Sequence, residues 1–264
     1  MAFDSKFPLL NKRVVLTRSK EQISDLKSKL ELLGAEVVEL PVISITKEID
    51  KHSLADVMLE LGGYDWIVFT SIHGVTYFFE EFRRIFDDIR SLGLLRIACV
   101  GEGTARGVEQ LHLKVECQPK VATAEALANA LIDTGSLDSA KILVITGNLN
   151  RDTLVTKLEA ALAIVDRLQV YKTEKHEVKD EPALKDYVLK GANAVLFASS
   201  SAAQFFAEQS SFLTLKDVAK KPLFGSIGPQ TSATLKKNLM SVDFEAEEPG
   251  IDSFVASLVK KLSK

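Results

Sequence analysis

The feature that most constrains the fold of this chain is an internal repeat, whose period is about half of its 264 residues. Three successive pieces of the first half have counterparts in the second half, in the same order. The matched pairs are 13–46 with 141–174, 64–82 with 192–209, and 96–119 with 221–249. A chain built in this way is expected to fold the same arrangement of strands and helices twice.

Each repeated piece has the same local pattern. A short apolar run, such as WIVF at 66–69 or AVLF at 194–197, is followed by turn residues and then by apolar positions at helical spacing. Continuous apolar runs are typical of strands buried on both faces, and strands that alternate with helices form parallel sheets covered on both sides. The repeat therefore predicts a doubly wound α/β fold, built twice.

Two strands continue into a further extended stretch before the next helical segment, one within 36–46 and the other within 164–174. Pro41 cannot donate to a sheet ladder and suits a strand that leaves the edge of a sheet. We interpret both stretches as crossings of the chain from one domain to the other. The two crossings are expected to lie side by side and to form a hinge. The predicted domains are 1–44 plus 174–264, which is discontinuous, and 45–173.

Composition argues against several functions. A net charge of −3 without a basic stripe argues against nucleic acid, and the absence of any apolar run of about 18 residues argues against a membrane span. The first residues do not read as a signal peptide, so we expect a cytoplasmic protein. Cys99 and Cys117 are interpreted as small buried hydrophobes in a reducing compartment, and the four scattered histidines argue against a metal site.

The carboxyl ends of the predicted strands are rich in Gly, Ser and Thr. Open parallel sheets bind ligands at these ends, where the amides of helix N-termini favour anions. Small residues let a ligand approach the backbone, while hydroxyls either cap the helix or bond the ligand, and both roles stay open. The best-placed cations for an anionic ligand are Arg18 and Arg151. The candidate binding residues are Thr17, Arg18, Thr70, Ser71, His73, Gly74, Gly101, Thr104, Gly147, Arg151, Ser199, Ser200, Ser201, Gly228, Pro229 and Thr231.

These turns lack the usual catalytic and nucleotide-binding signatures. The segment VGEGTARG at 100–107 has Arg106 where the third glycine of a dinucleotide motif would stand. The chain contains no G-x-S-x-G nucleophile elbow and no paired cysteines, and His73 has no obvious carboxylate partner. The residues alone predict a ligand-binding cleft without a metal or an activated nucleophile.

In their order and spacing, the motifs resemble those of the uroporphyrinogen-III synthase family. They run VVLTRS, DWIVFTSIHGV, ACVGEGTA, VYKTE, VLFASSSA and SIGPQTSATL over nearly the whole chain. The resemblance implies two flavodoxin-like domains joined by a two-stranded linker. It also implies a lyase of tetrapyrrole and haem biosynthesis that uses no cofactor. Such an enzyme closes hydroxymethylbilane into uroporphyrinogen III with loss of water and inversion of ring D.

The resemblance also assigns roles to individual residues. The tyrosine of the family's V-Y-x-T segment falls on Tyr171, which becomes the candidate catalytic residue, as proton donor to the departing hydroxyl. The alternative is an aromatic side chain that packs the hinge. His73 stands where the family often has asparagine. The hydroxyl-bearing turns of the family fall on Thr70, Ser71, Thr104, Ser199 and Thr231.

The partner implied by the resemblance is the small molecule hydroxymethylbilane. We expect a monomer, and the protein partner considered is hydroxymethylbilane synthase, in a transient contact. Two other classes of protein would share the predicted architecture. One is a two-lobed small-anion binding protein without chemistry, and the other is a regulatory or assembly protein that has lost activity. The ratio of type I to type III product from hydroxymethylbilane would distinguish the three.

Overall fold

The structure, a computed structural model, describes residues 7–19, 23–248 and 250–263. The strands are β1 (Arg13–Leu16), β2 (Glu36–Glu39), β3 (Ile43–Lys47), β4 (Trp66–Phe69), β5 (Arg96–Cys99), β6 (Lys141–Gly147), β7 (Ile164–Lys175), β8 (Ala194–Phe197), β9 (Leu223–Ser226) and β10 (Phe244–Glu245). The helices are α1 (Ile23–Leu32), α2 (Lys51–Leu59), α3 (Ile72–Ile85), α4 (Glu102–Glu109), α5 (Ala124–Ile132), α6 (Thr153–Ala160), α7 (Pro182–Lys190), α8 (Ser200–Glu208), α9 (Pro229–Lys237) and α10 (Ile251–Leu262). Over these described ranges, no helix is both long enough and apolar enough to cross a bilayer.

The chain divides into two compact units. The first unit combines the residues up to Ser44 with those from Glu174 onward, and the second unit is Ile45–Thr173. The sheet of the first unit has the order β10-β9-β8-β1-β2, and the other sheet has the order β3-β7-β6-β4-β5. Each sheet is thus assembled from strands that are distant in sequence.

The two sheets share one strand order when their strands are matched through the sequence repeat. The run β9-β8-β1-β2 in the first unit corresponds to β5-β4-β6-β7 in the second. Neighbouring strands pair in parallel throughout both runs. The predicted α/β fold with parallel sheets is therefore confirmed.

The central strands β4 and β6 of the second unit are buried on both faces, which explains their continuous apolar sequences. Alternate residues of β4 belong to different apolar clusters. Ile67 and Phe69 pack with Phe78 of α3, whereas Trp66 and Val68 pack with side chains of α5 and α6. All four β4 side chains are fully buried. Because side chains alternate along a strand, this division places one cluster on each face of the sheet.

The first unit has the corresponding arrangement. Val14 and Leu16 of β1 pack in a cluster with side chains of α1 and α10, including Phe254. Elsewhere in this sheet, the ring of Phe197 on β8 lies edge-on to Phe206 of α8, with ring centroids 5.1 Å apart. Helices therefore cover this sheet as well.

Both cysteines are buried and free. The backbone N–H of Cys99 donates to the carbonyl oxygen of Cys117 at 3.0 Å, yet the two side chains belong to different apolar clusters. Burial raises the pKa of the Cys99 thiol to about 12. The interpretation of the cysteines as small buried hydrophobes is confirmed.

Candidate functional site

The residues predicted to bind a ligand gather at one edge of the sheet in each unit, because parallel strands end at a common edge. In the first unit, β1, β8 and β9 are sheet neighbours, and the candidates that follow them lie within 17–18, 199–201 and 228–231. In the second unit, β4, β5 and β6 are neighbours, and the candidates that follow them lie within 70–74, 101–104 and 147–151. Tyr171 lies in β7, the next neighbour of β6.

The serines that follow β4 and β8 are helix caps. Ser71 Oγ accepts from the Gly74 N–H at 3.1 Å, and Ser199 Oγ accepts from the Ala202 N–H at 3.2 Å. Both serines have the extended backbone expected of an N-cap, with φ near −160°. Half-buried Ser201 lies beside the second cap, with its Oγ 3.1 Å from Ser199 Oγ. Ser200, also half-buried, begins α8.

The next helix in each unit starts at a glycine. Gly101 precedes α4 and Gly228 precedes α9, and neither start has a capping side chain from the described residues. Pro229 occupies the first position of α9, where its missing N–H costs no helical hydrogen bond. Within the described ranges, no side chain accepts from the remaining amides of these first turns, which suits them to bind an anion. The repeat thus produces matching helix starts in the two units, with a serine cap after β4 and β8 and a glycine without a capping side chain from the described residues after β5 and β9.

Three of the predicted threonines are buried. Thr17 is 0% exposed, and its Oγ1 donates to the Leu196 carbonyl oxygen at 2.8 Å, which joins β1 to β8. Thr104 and Thr231 are buried in α4 and α9, with 6% and 4% exposure. The hydroxyl of Thr17 is therefore already used within the sheet.

The two predicted cations have different surroundings. Arg18 is half-buried; burial lowers its pKa, and the charge of Asp25 acts in the opposite direction. Arg151 is exposed and forms no ion pair within the described part of the chain. Arg151 is therefore the more accessible of the two to an anion that arrives from solvent.

Tyr171 is buried against the end of β6. Gly147 is its partner in the strand register, and a Cβ at Gly147 would lie 2.3 Å from Cε2 and 2.4 Å from Cζ of Tyr171. The ring therefore lies directly on the glycine backbone. Burial raises the pKa of Tyr171, while a hydrogen bond with the Ser71 side chain lowers it to a smaller extent. The phenol is protonated at neutral pH, which is the form that a proton donor needs.

An imidazole lies near two phenol rings in the same unit. The His73 ring centroid is 5.9 Å from that of Tyr171 and 6.2 Å from that of Tyr77. Gly74 is buried in the first turn of α3, where an added Cβ would lie 3.2 Å from Ile145 Cγ2. The start of α3 can therefore pack close to the end of β6.

Two asparagines in the turn after β6 are absent from the residues predicted by the sequence. Asn150 Oδ1 accepts from the Gly147 N–H at 3.3 Å, and its Nδ2 donates to Thr70 Oγ1 at 2.8 Å. Asn148 Oδ1 accepts from the Thr173 N–H at 2.8 Å, and its Nδ2 donates to the Thr173 carbonyl oxygen at 3.2 Å. Asparagines after a strand end are a signal for side-chain bonds to turn backbone, although this signal does not identify distant partners.

A hydroxyl pair behind the start of α9 is also absent from the prediction. Ser226 is 0% exposed, and its Oγ lies 2.5 Å from Ser232 Oγ. The Ser232 hydroxyl in turn donates to the Glu245 carboxylate. These contacts connect β9, α9 and β10, and they hold the turn that contains Gly228.

Comparison with known proteins gives one consistent result. The family model described as "Uroporphyrinogen-III synthase HemD" matches residues 24–256. The "Uroporphyrinogen-III synthase" of Chlorobaculum parvum is 27% identical over 253 residues, which are 95% of this chain and 99% of that protein. The "Porphyrin biosynthesis protein HemD" of Ruminiclostridium josui is 28% identical over 257 residues, which are 97% of this chain. This chain spans 49% of the length of the R. josui protein.

Two solved structures share the fold. A mutant uroporphyrinogen III synthase of Thermus thermophilus aligns with a TM-score of 0.62 at 17% identity, covering 95% of this chain and 98% of that one. The uroporphyrinogen-III synthetase of Helicobacter pylori aligns with a TM-score of 0.62 at 13% identity, covering 94% of this chain and 99% of that one. At these identities the likeness concerns the fold alone.

Proposed function

The chain belongs to the uroporphyrinogen-III synthase family, and on that premise we propose that it closes hydroxymethylbilane into uroporphyrinogen III. The observation that carries this proposal is the match of the family model over residues 24–256. The protein would then be a lyase of tetrapyrrole biosynthesis. Its monomeric state, its contact with hydroxymethylbilane synthase and its cytoplasmic location stay predictions.

The proposed reaction begins with departure of the terminal hydroxymethyl oxygen. The adjacent pyrrole nitrogen donates electrons as the C–O bond breaks, and Tyr171 gives its proton to the departing oxygen. The oxygen departs as water, and an azafulvene-like cation remains. The substituted α-carbon of ring D then attacks the cation to form a spiro intermediate. This intermediate fragments and recloses with ring D reversed, and the proton released on rearomatisation replaces the one that Tyr171 gave.

In this proposal the protein mainly selects between two ring closures. Without direction, the cation would close at the free α-carbon of ring D and give the symmetric type I isomer. A difference of about 1.4 kcal/mol between the two barriers changes the isomer ratio tenfold, so a modest positional preference is sufficient. The hydrogen-bonded turns at the strand ends can supply such a preference without a strong base.

The turns also offer groups for the carboxylates of the substrate. The proposal is supported by the amides at the starts of α4 and α9, which have no capping side chain from the described residues, and by exposed Arg151. A helix N-terminus contributes roughly 0.3–1 kcal/mol to binding a negative charge. Since the chain has a net charge of −3, attraction of the substrate has to be local.

We also propose that each unit is a flavodoxin-like domain, with one domain formed by 1–44 plus 174–264 and the other by 45–173. In the first unit, the order β2-β1-β8-β9-β10 supports this, since it corresponds to the 2-1-3-4-5 order of one common doubly wound fold. In the second unit, the run β7-β6-β4-β5 corresponds through the repeat to the first four strands of that order, while β3 lies beside β7. The proposed two-stranded linker consists of β3 and β7, which are neighbours at a sheet edge. Both strands run through the positions at which the chain divides into units.

The test is incubation of the purified protein with freshly prepared hydroxymethylbilane, followed by chromatographic separation of the type I and type III products. We expect type III to predominate and to form faster than spontaneous closure. Formation of type I alone, at the rate without protein, would show that the chain lacks this activity. Substrate binding without type III product would instead identify a binding or regulatory protein of the same fold.

Replacing Arg151 by alanine is expected to raise KM for hydroxymethylbilane roughly threefold to fivefold, because an exposed ion pair contributes about 0.2–1 kcal/mol. The turnover number should stay within about twofold of the parent, since the side chain is assigned to binding. The measurement is steady-state kinetics. The matched control is Arg83→Ala, which removes the same exposed charge from the last turn of α3. Equal KM values for the two variants would remove Arg151 from the binding site.

A further inference from the structure

The turn that follows β6 contains a backbone segment on which the Tyr171 ring depends. The ring lies on Gly147 so closely that even a Cβ at this position would overlap Cε2 and Cζ, the carbon that bears the hydroxyl. A displacement of the Gly147 peptide would therefore displace the ring or leave it without support. The groups that hold Gly147 in place are accordingly candidates for control of the phenol.

On the β7 side, the turn is held by the side chain of Asn148, which bonds the β7 backbone in place of a backbone partner. The register changes from Thr146 opposite Gln169 to Gly147 opposite Tyr171, so β7 contains one extra residue at this point. Such bulges bend a strand and redirect its side chains. Beyond the bulge, the amide group of Asn148 makes both a donor and an acceptor bond with the Thr173 backbone. Asn148 therefore extends the pairing of β6 and β7 past Tyr171.

On the β4 side, the turn is held by a second amide. Asn150 accepts from the Gly147 N–H and donates to Thr70 Oγ1, and Thr70 Oγ1 donates in turn to the Ile145 carbonyl oxygen at 3.0 Å. This chain of bonds runs from the exit of β4 to the end of β6. The Gly147 peptide is thus connected to the strands on both of its sides.

From these contacts we infer that Asn148 and Asn150 are positioning residues for the cyclisation, which hold Gly147 beneath Tyr171 and so fix the direction of the phenolic hydroxyl. The inference rests on the proposed function. Neither asparagine is assigned a contact with the substrate, and both act through Tyr171. A displacement of a catalytic group by about 1 Å can lower the reaction rate up to a hundredfold. The two hydrogen bonds that each asparagine side chain makes can therefore affect the rate by holding Tyr171 in position.

The test compares Asn148→Ala and Asn150→Ala with the parent in two measurements. We expect the turnover number to fall about tenfold in each variant while KM stays within about twofold, because positioning acts on the chemical step. We also expect the Tyr171 phenol to titrate at lower pH, since a loosened ring gains solvent. Tyrosinate absorbance, taken as the difference between each variant and the same variant with Tyr171→Phe, isolates this group among the four tyrosines.

Matched variants separate positioning from general damage to the turn. Leu149→Ala changes the exposed residue between the two asparagines and should leave both measurements at the parent's values. Asn150→Asp keeps the acceptor for Gly147 and loses the donor to Thr70, so its effect should be intermediate. This variant keeps the test valid if Asn150→Ala does not fold. In a Tyr171→Phe background, Asn150→Ala should lower turnover by less than about twofold.

The inference is overturned if the asparagine variants leave the Tyr171 titration at the parent's pH, or if their turnover falls no further than that of Leu149→Ala. A full tenfold loss that persists in the Tyr171→Phe background would also overturn it, since the asparagines would then act independently of the phenol. A parent protein that forms no type III product would overturn the proposed function instead. The titration, which needs no substrate, decides the structural part of the inference separately.

Discussion

Replacing Tyr171 by phenylalanine is expected to lower the turnover number about a hundredfold, at the low end of the range for general acid catalysis, because the leaving group already departs readily. Burial raises the pKa of Tyr171, so the donor form persists through the neutral range. The turnover number of the parent should therefore show no alkaline decline from this group below about pH 10, the ordinary value for tyrosine. The measurement is turnover against pH for the parent and the variant.

Tyr77→Phe is the matched control for this result. It removes the same hydroxyl from a second ring beside His73, whose centroid is 6.2 Å from that of the imidazole. We expect this variant to keep turnover within about twofold of the parent. If Tyr171→Phe also stays within a few-fold, Tyr171 is a packing aromatic and the proton comes from another source.

The second large effect is expected from Gly191→Ala, which should lower the free energy of unfolding by about 3 kcal/mol or more. Gly191 ends α7 with φ 66° and ψ −154°, a conformation that favours glycine. An added Cβ would lie 1.9 Å from the Lys220 carbonyl oxygen, which is backbone and accepts from the Ala192 N–H. Folding of the variant would therefore require the Lys220 segment to move and to weaken that bond.

Gly93→Ala separates the two causes of this loss. Gly93 has nearly the same backbone, with φ 62° and ψ −131°, but no atom lies within 4 Å of an added Cβ. We expect this variant to lose only the conformational part, about 1–3 kcal/mol. Urea unfolding followed by far-UV circular dichroism measures both variants, and fluorescence of Trp66, the single tryptophan, reports on the unit that contains Gly93. Equal losses would show that the Lys220 contact costs nothing.

The repeat predicts the sheets well because each repeated piece obeys the same rules of parallel pairing. The repeat predicts that both halves form the same arrangement, and the run β9-β8-β1-β2 and its counterpart β5-β4-β6-β7 agree in their order. The apolar run at 66–69 predicts burial on both faces, and the two clusters around β4 have this arrangement. The hydrophobic pattern is sufficient to predict the buried strands because the burial of a strand depends on most of its residues together.

The candidate sites are less predictable because they depend on single contacts. Arg18 and Arg151 occupy corresponding turns, yet only the packing around them makes one half-buried and the other exposed. The contact of Gly147 with Tyr171 depends on one extra residue in β7, and the partner of Asn148 lies 25 positions away. Neither a register change nor a hydrogen bond to a distant backbone partner produces a periodic pattern in the sequence, so neither can be predicted from it.

The discontinuity of the first unit has a consequence for how the chain matures during synthesis. Arg13 and Asn193 are 180 positions apart, yet the Arg13 N–H donates to the Asn193 side chain and β1 pairs with β8. A ribosome therefore releases everything needed for the middle unit while β1 still lacks its neighbour on that side. Domains generally fold as units when their chain becomes available, so the middle unit can be complete first. Its closure would also shorten the remaining loop that has to be closed before β1 meets β8.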